Sequence, residues 1–277
     1  MSDQIIGLQD WLQTPPGRYL LDWEQAQMDR AVADMFGYHA LQLGLPTLAG
    51  LQHNRMPHRW LATQQMPALP SGVNLNMDVQ AGTPDVPLAF ITDFDALPFP
   101  AASLDLVVLP HTLELSNAHE TLREVERVLV AEGRVVVCGL NPTSLWALRS
   151  ARQRLWRLLG LGRFMGPDYL PQQDAFLGVW RLRDWLRLLG FEVEVVRYGC
   201  YAPAVGSVGW LQRFAWLDRL GARWWPIFGA AYMVVAVKKV RGARLLGAAW
   251  KTKPVRVAST VVAGQRRQDV AKKETEQ

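Results

Sequence analysis

Between Leu104 and Leu140 the chain follows a rhythm that few folds can use: an apolar run, an amphipathic helix and a second apolar run. LDLVVL, residues 104–109, has the unbroken aliphatic character of a strand buried on both faces. NAHETLREVERVLV, residues 117–130, sets Leu122, Val125, Val128 and Leu129 on one helical stripe, with Ser116 or Asn117 as its cap. Glu132-Gly133 turns the chain into RVVVCGL, residues 134–140, a second buried strand. Two buried strands joined through a helix need a crossover, so the expected product is a parallel pair inside an α/β sheet.

The flanking segments extend that sheet. The pattern predicts a helix over Leu20–Phe36, with Leu21, Met28, Val32, Met35 and Phe36 inward and Asp22, Glu24 and Asp29 outward. HALQLG (39–44), RWLAT (59–63) and LAFITDF (88–94) read as strands, and residues 64–87 as loop. A helix over Arg181–Leu189 leads through Gly190 into FEVEVVRYG, and AAYMVVAVKK closes the set. The domain is expected to span residues 18–240, after an N-terminal segment 1–17. Residues 141–178 break the rhythm with a basic amphipathic helix, Leu145–Phe164, expected to act as a lid with its apolar face on the domain.

Charge divides the chain. From Lys238 to the end there are eleven Lys and Arg against three acids, leaving nineteen basic and twenty-two acidic groups before it. The high pI therefore belongs to a tail, 241–277, expected to be disordered and open to weak contact with anionic membrane or RNA. No run is long enough to span a bilayer, the first residues lack the basic region of a signal peptide, and Cys138 and Cys200 form no CxxC. The expected location is cytoplasmic.

DFDALPFPAASLDLVVLPHTLELSNAHETLREVERVLVAEGRVVVCG, from Asp93, resembles the second half of a class I S-adenosylmethionine-dependent methyltransferase domain of the type 11 kind. Its D-x-x-x-LPF-x-x-x-S-x-D-x-V passage, the His-x-Leu-Glu turn and the following helix and strand carry the likeness. GYHALQLG and GLNPTSLWALR are similar to a YafS-like bacterial branch of that family. The resemblance implies a Rossmann-like α/β fold, with a mostly parallel sheet and an antiparallel final strand pair. It also implies S-adenosylmethionine as cofactor and a methyl acceptor as partner.

By the same resemblance, Asp93 would accept a hydrogen bond from the adenine amino group and Phe94 would pack on the base. Gly44 would shape the loop after the first strand, and Leu109 and Pro110 would lie near the methionine end. The family's acidic residue and second glycine after that strand are replaced by Gln42 and Pro46. A neutral amide lacks the charge an ammonium prefers, and Pro offers no N–H. His111 and Glu114 follow the fourth strand and are the candidates for a catalytic base, beside the simpler readings of a turn residue and a helix-entry acid. Two other outcomes share this sequence: a non-catalytic scaffold on the same fold, and a membrane- or nucleic-acid-binding protein acting through its basic helix and tail.

Overall fold

The computed structural model of the protein describes residues 7–8, 10–64, 88–158, 170, 176–203, 208–214 and 216–239. In chain order these form α1 (Pro15–Val32), β1 (His39–Leu43), β2 (His58–Thr63), β3 (Leu88–Ile91), β4 (Leu104–Pro110), α2 (Thr112–Leu115) and α3 (Ala118–Val128). There follow β5 (Leu129–Leu140), α4 (Leu145–Leu158), α5 (Val179–Leu188), β6 (Phe191–Gly199), α6 (Val208–Arg213), α7 (Trp216–Trp224) and β7 (Ala231–Lys238).

The strands make one sheet in the order β3-β2-β1-β4-β5-β7-β6. All neighbours are parallel except that β7 runs against both β5 and β6. The three segments expected to share a sheet, now β3, β4 and β5, do so. Alternation splits β4 between two cores. Leu106 and Val108 face α1, whose Leu20, Met28 and Val32 cover them. Val107 and Leu109 face α3 and α5 through Leu122, Val125, Leu182 and Leu186.

Several local expectations are corrected. Helix α1 begins at Pro15, where Thr14 caps the N–H of Gly17 at 3.4 Å and prolines occupy the first turn. It ends at Val32, and Phe36 is 73% exposed. The buried stripe is Leu20, Glu24, Met28 and Val32, so Glu24 lies on the inner face rather than the outer one. Leu8, Trp11 and Leu12, placed in a separate N-terminal segment by the sequence, are buried in the α1-side core.

The Glu132-Gly133 turn is instead a bulge within β5. Leu129 pairs with Leu104 and Arg134 with Leu106, and Glu132 takes a left-handed φ of 64° to absorb the extra residues. In α4, Trp146 is buried and its Nε1 donates to Ala202 O at 2.7 Å, but Leu145, Leu148 and Leu155 are exposed. The apolar side of this helix is therefore only partly covered. Residues 159–164 of the expected lid helix, the 65–87 loop and the 241–277 tail lie outside the described residues. Among the described residues, no helix is long and apolar enough to cross a membrane.

Candidate functional site

In an open α/β sheet a ligand crevice forms beyond the carboxyl ends of the strands where the order reverses, here between β1 and β4. Gly44 leaves β1 with φ 77°, a conformation that glycine adopts without strain. A side chain there would meet Thr112 Oγ1 at 3.4 Å and the Phe94 ring at 3.6 Å. Thr112 in turn donates to Leu43 O at 2.5 Å. The ends of β1, β3 and β4 thus converge through Gly44, Phe94 and Thr112.

Phe94 is buried at 2% exposure, whereas Asp93 beside it is exposed, and its carboxylate accepts no hydrogen bond from the described residues. The LPF segment after them is clamped by α3. Glu124 accepts from Leu97 N at 3.3 Å, and Arg127 donates to Leu97 O at 3.1 Å and Phe99 O at 2.9 Å. The Arg127 guanidinium, 2.7 Å from Glu124 Oε2, holds that carboxyl below its ordinary range. The Asp of S-x-D has a structural task of its own. Asp105 Oδ2 accepts from Tyr38 N and His39 N at 2.8 and 2.9 Å and so fixes the start of β1.

Gln42 is buried and its amide is fully employed. Nε2 donates to Leu45 O at 3.0 Å and Leu48 O at 2.7 Å, while Oε1 accepts from Gly50 N at 2.9 Å. Both amide hydrogens are spent on the loop after β1, so the side chain has none left for a ligand. That loop runs through turns from Pro46 to His53, with no helix. Leu109 and Pro110, also expected at the site, pair with Val137 and Cys138 and are buried, so only their backbone can meet a ligand.

His111 follows β4 in the left-handed region, φ 55°, and is wholly buried. Its Nδ1 lies 2.9 Å from Glu114 Oε2, and its Nε2 lies 3.1 Å from Glu24 Oε2 in hydrogen-bonding geometry. Glu24 Oε1 is also within 2.9 Å of Nε2 but off the N–H axis, and no donor satisfies it. Glu114 Oε1 accepts from Leu140 N at 2.6 Å, tying the group to the end of β5.

Burial alone would lower the His111 pKa, but Glu24 and then Glu114 outweigh it and raise the pKa well above the ordinary histidine value. The carboxyl groups on both ring nitrogens thus favour the protonated ring, with both N–H groups engaged. In that state it has no lone pair with which to take a proton, so the geometry does not offer the general base considered from sequence. What it offers is a buried Glu24–His111–Glu114 cluster joined through both ring nitrogens. Sequence reasoning missed Glu24. The signal was its position four residues after Leu20 and four before Met28, on the buried stripe of α1.

Comparisons with known proteins agree with this architecture. Residues 73–137 match the family described as a methyltransferase domain. An uncharacterized protein of Escherichia coli (strain K12), YafS, is 28% identical over 191 residues, covering 68% of this chain and 67% of its own. The putative methyltransferase in a Haloferax volcanii complex with the Trm112 methyltransferase activator superposes with a TM-score of 0.53 at 18% identity, covering 86% of this chain and 99% of that one. With the sheet order above, these findings show a Rossmann-like fold and a chain similar to class I methyltransferases.

Proposed function

We propose that this protein transfers the methyl group of S-adenosylmethionine from a cofactor site that departs from the usual acidic, glycine-rich pattern. The observation that carries this reading is the convergence of Gly44, Phe94 and Thr112 beside the exposed carboxylate of Asp93, which has no partner among the described residues. The adenine end of the cofactor fits, because Asp93 can accept from its amino group and Phe94 N–H can meet a ring nitrogen. The methionine end does not fit Gln42, whose hydrogens are spent. Methyl transfer needs in-line approach and exclusion of water more than proton transfer, so the lack of an available base at His111 is compatible with it.

Calorimetric titration of the full chain with S-adenosylmethionine and S-adenosylhomocysteine tests the reading. Asp93→Ala, which removes a hydrogen bond to a charged acceptor worth about 1.5–3 kcal/mol, should weaken binding roughly ten- to a hundredfold. The absence of heat at millimolar ligand would refute the proposal. It would leave the fold as a scaffold, consistent with the saturated Gln42 amide and the Phe94 ring closed against Gly44.

A further inference from the structure

Helix α7 carries Trp216, Leu220 and Trp224 at i, i+4 and i+8, the spacing of a stripe that normally faces a core. Here the stripe faces outward: the three are 54%, 40% and 67% exposed. Trp225, Ile227 and Phe228 extend the exposed surface towards β7, and Leu145 and Leu148 of α4 add to it. The two regions are contiguous. Leu145, Leu217, Trp225 and Phe228 line one apolar cavity of about 290 Å³ together with Tyr201 and Gly221, and Asn141 Nδ2 donates to Ile227 O at 2.6 Å. Of sixteen large apolar side chains exposed among the described residues, ten fall in α4 and residues 208–228. They are thus concentrated in two segments that meet at this cavity, unlike the scattered exposure normal for a monomer's surface.

Charge narrows the partner. Residues 145–158 and 208–228 contain seven arginines and a single acid, Asp218. That acid is committed internally, accepting from Tyr19 Oη at 2.5 Å and Tyr201 N at 2.8 Å. Among the arginines, Arg152, Arg213 and Arg223 are exposed, and Arg213 lies over the Trp210 ring at 5.8 Å. A surface of exposed tryptophans in segments rich in arginine suits a boundary that is apolar on one side and anionic on the other.

We propose that this face docks the protein on an anionic lipid bilayer, with the tryptophans among the headgroups and the arginines on lipid phosphates. The cavity beneath Trp225 and Phe228 receives an apolar part of a lipid. The contact is peripheral, since no helix among the described residues can span a membrane. It does not depend on methyl transfer, so its test and the cofactor titration fail independently.

The full chain is sedimented with vesicles of phosphatidylcholine alone and of phosphatidylcholine with 30% phosphatidylglycerol, a fraction of about one lipid in three that gives a strongly negative surface. Trp216→Ser/Trp224→Ser/Trp225→Ser is compared with the unmodified chain, and Ile227→Ser/Phe228→Ser replaces it should it fail to fold. The basic tail is present in every chain, so its attraction is common to all. The expected result is pelleting with the anionic vesicles only, a blue shift of tryptophan emission on binding, and roughly tenfold weaker partitioning of the variant at an unchanged Tm. Four results would overturn the proposal. These are no pelleting of the unmodified chain, equal pelleting with neutral vesicles, equal pelleting of a folded variant, or a dimer in sedimentation velocity that the variant dissolves, which would mean that a second copy covers this face.

Discussion

Replacing His111 by alanine removes the cation that lies between Glu24 and Glu114 and leaves both carboxylates in the interior. Breaking a buried ionic group by deleting one partner costs about 3–5 kcal/mol, because the stranded charge is not re-solvated. For a domain of this size each kcal/mol moves Tm by about 2–4 °C, so the variant should melt roughly 6–20 °C lower. Replacing the whole group behaves differently. Glu24→Met/His111→Leu/Glu114→Gln leaves no charge and keeps an acceptor for Leu140 N–H, and should recover most of the loss.

The pH dependence separates an ionic group from mere packing. The folded pKa of His111 lies above its ordinary value of 6.5, so its stabilisation is complete below that value and is lost as pH rises through the folded pKa. Above 6.5 the native state holds a proton that the unfolded state has released, and stability falls by up to about 1.4 kcal/mol per pH unit. Urea unfolding at pH 6, 7 and 8, below the range where the buried Cys138 and Cys200 thiols add a slope of their own, measures this effect, which the triple variant should lack. Two results would refute the reasoning: His111→Ala within about 1 kcal/mol of the unmodified protein at pH 7, or a triple variant with an unchanged slope.

Other outcomes follow from the same geometry. Gln42→Glu, which would restore the family's acid, should destabilise the fold by at least about 2 kcal/mol in urea unfolding at pH 7, because Leu45 O and Leu48 O would face a carboxylate with no hydrogen to give. Arg127→Ala should cost about 1–2 kcal/mol, and in titration calorimetry should weaken cofactor binding by loosening the Leu97–Phe99 segment that follows Asp93 and Phe94. Gly37→Ala should lower Tm by several degrees, at about 2–4 °C per kcal/mol, because its methyl group would lie 2.5 Å from Asp105 Cβ and displace the carboxylate that holds Tyr38 and His39.

The sheet was legible in the sequence because its signals are local. The apolar runs at Leu104–Leu109 and Arg134–Leu140, with the amphipathic stripe of α3 between them, admit one economical arrangement, and the strands before and after it extend the same layer. Asp93, Phe94 and Gly44 could be placed at strand ends by the same reasoning, since strand ends follow from strand extents.

The chemistry of the crevice was decided by the tertiary structure. Glu24 shares the Leu20–Met28 stripe by its spacing, but only the packing of α1 on the sheet brings it onto His111. Gln42 looks like a weakened ligand for an ammonium, but the path of residues 44–50 spends its amide on their backbone. Trp216, Leu220 and Trp224 share a face by periodicity alone, and periodicity predicts that such a face is buried. Only the packing of α7 shows it turned to solvent, because a sequence fixes which side chains stand together on a helix, whereas what that side meets depends on elements far away along the chain.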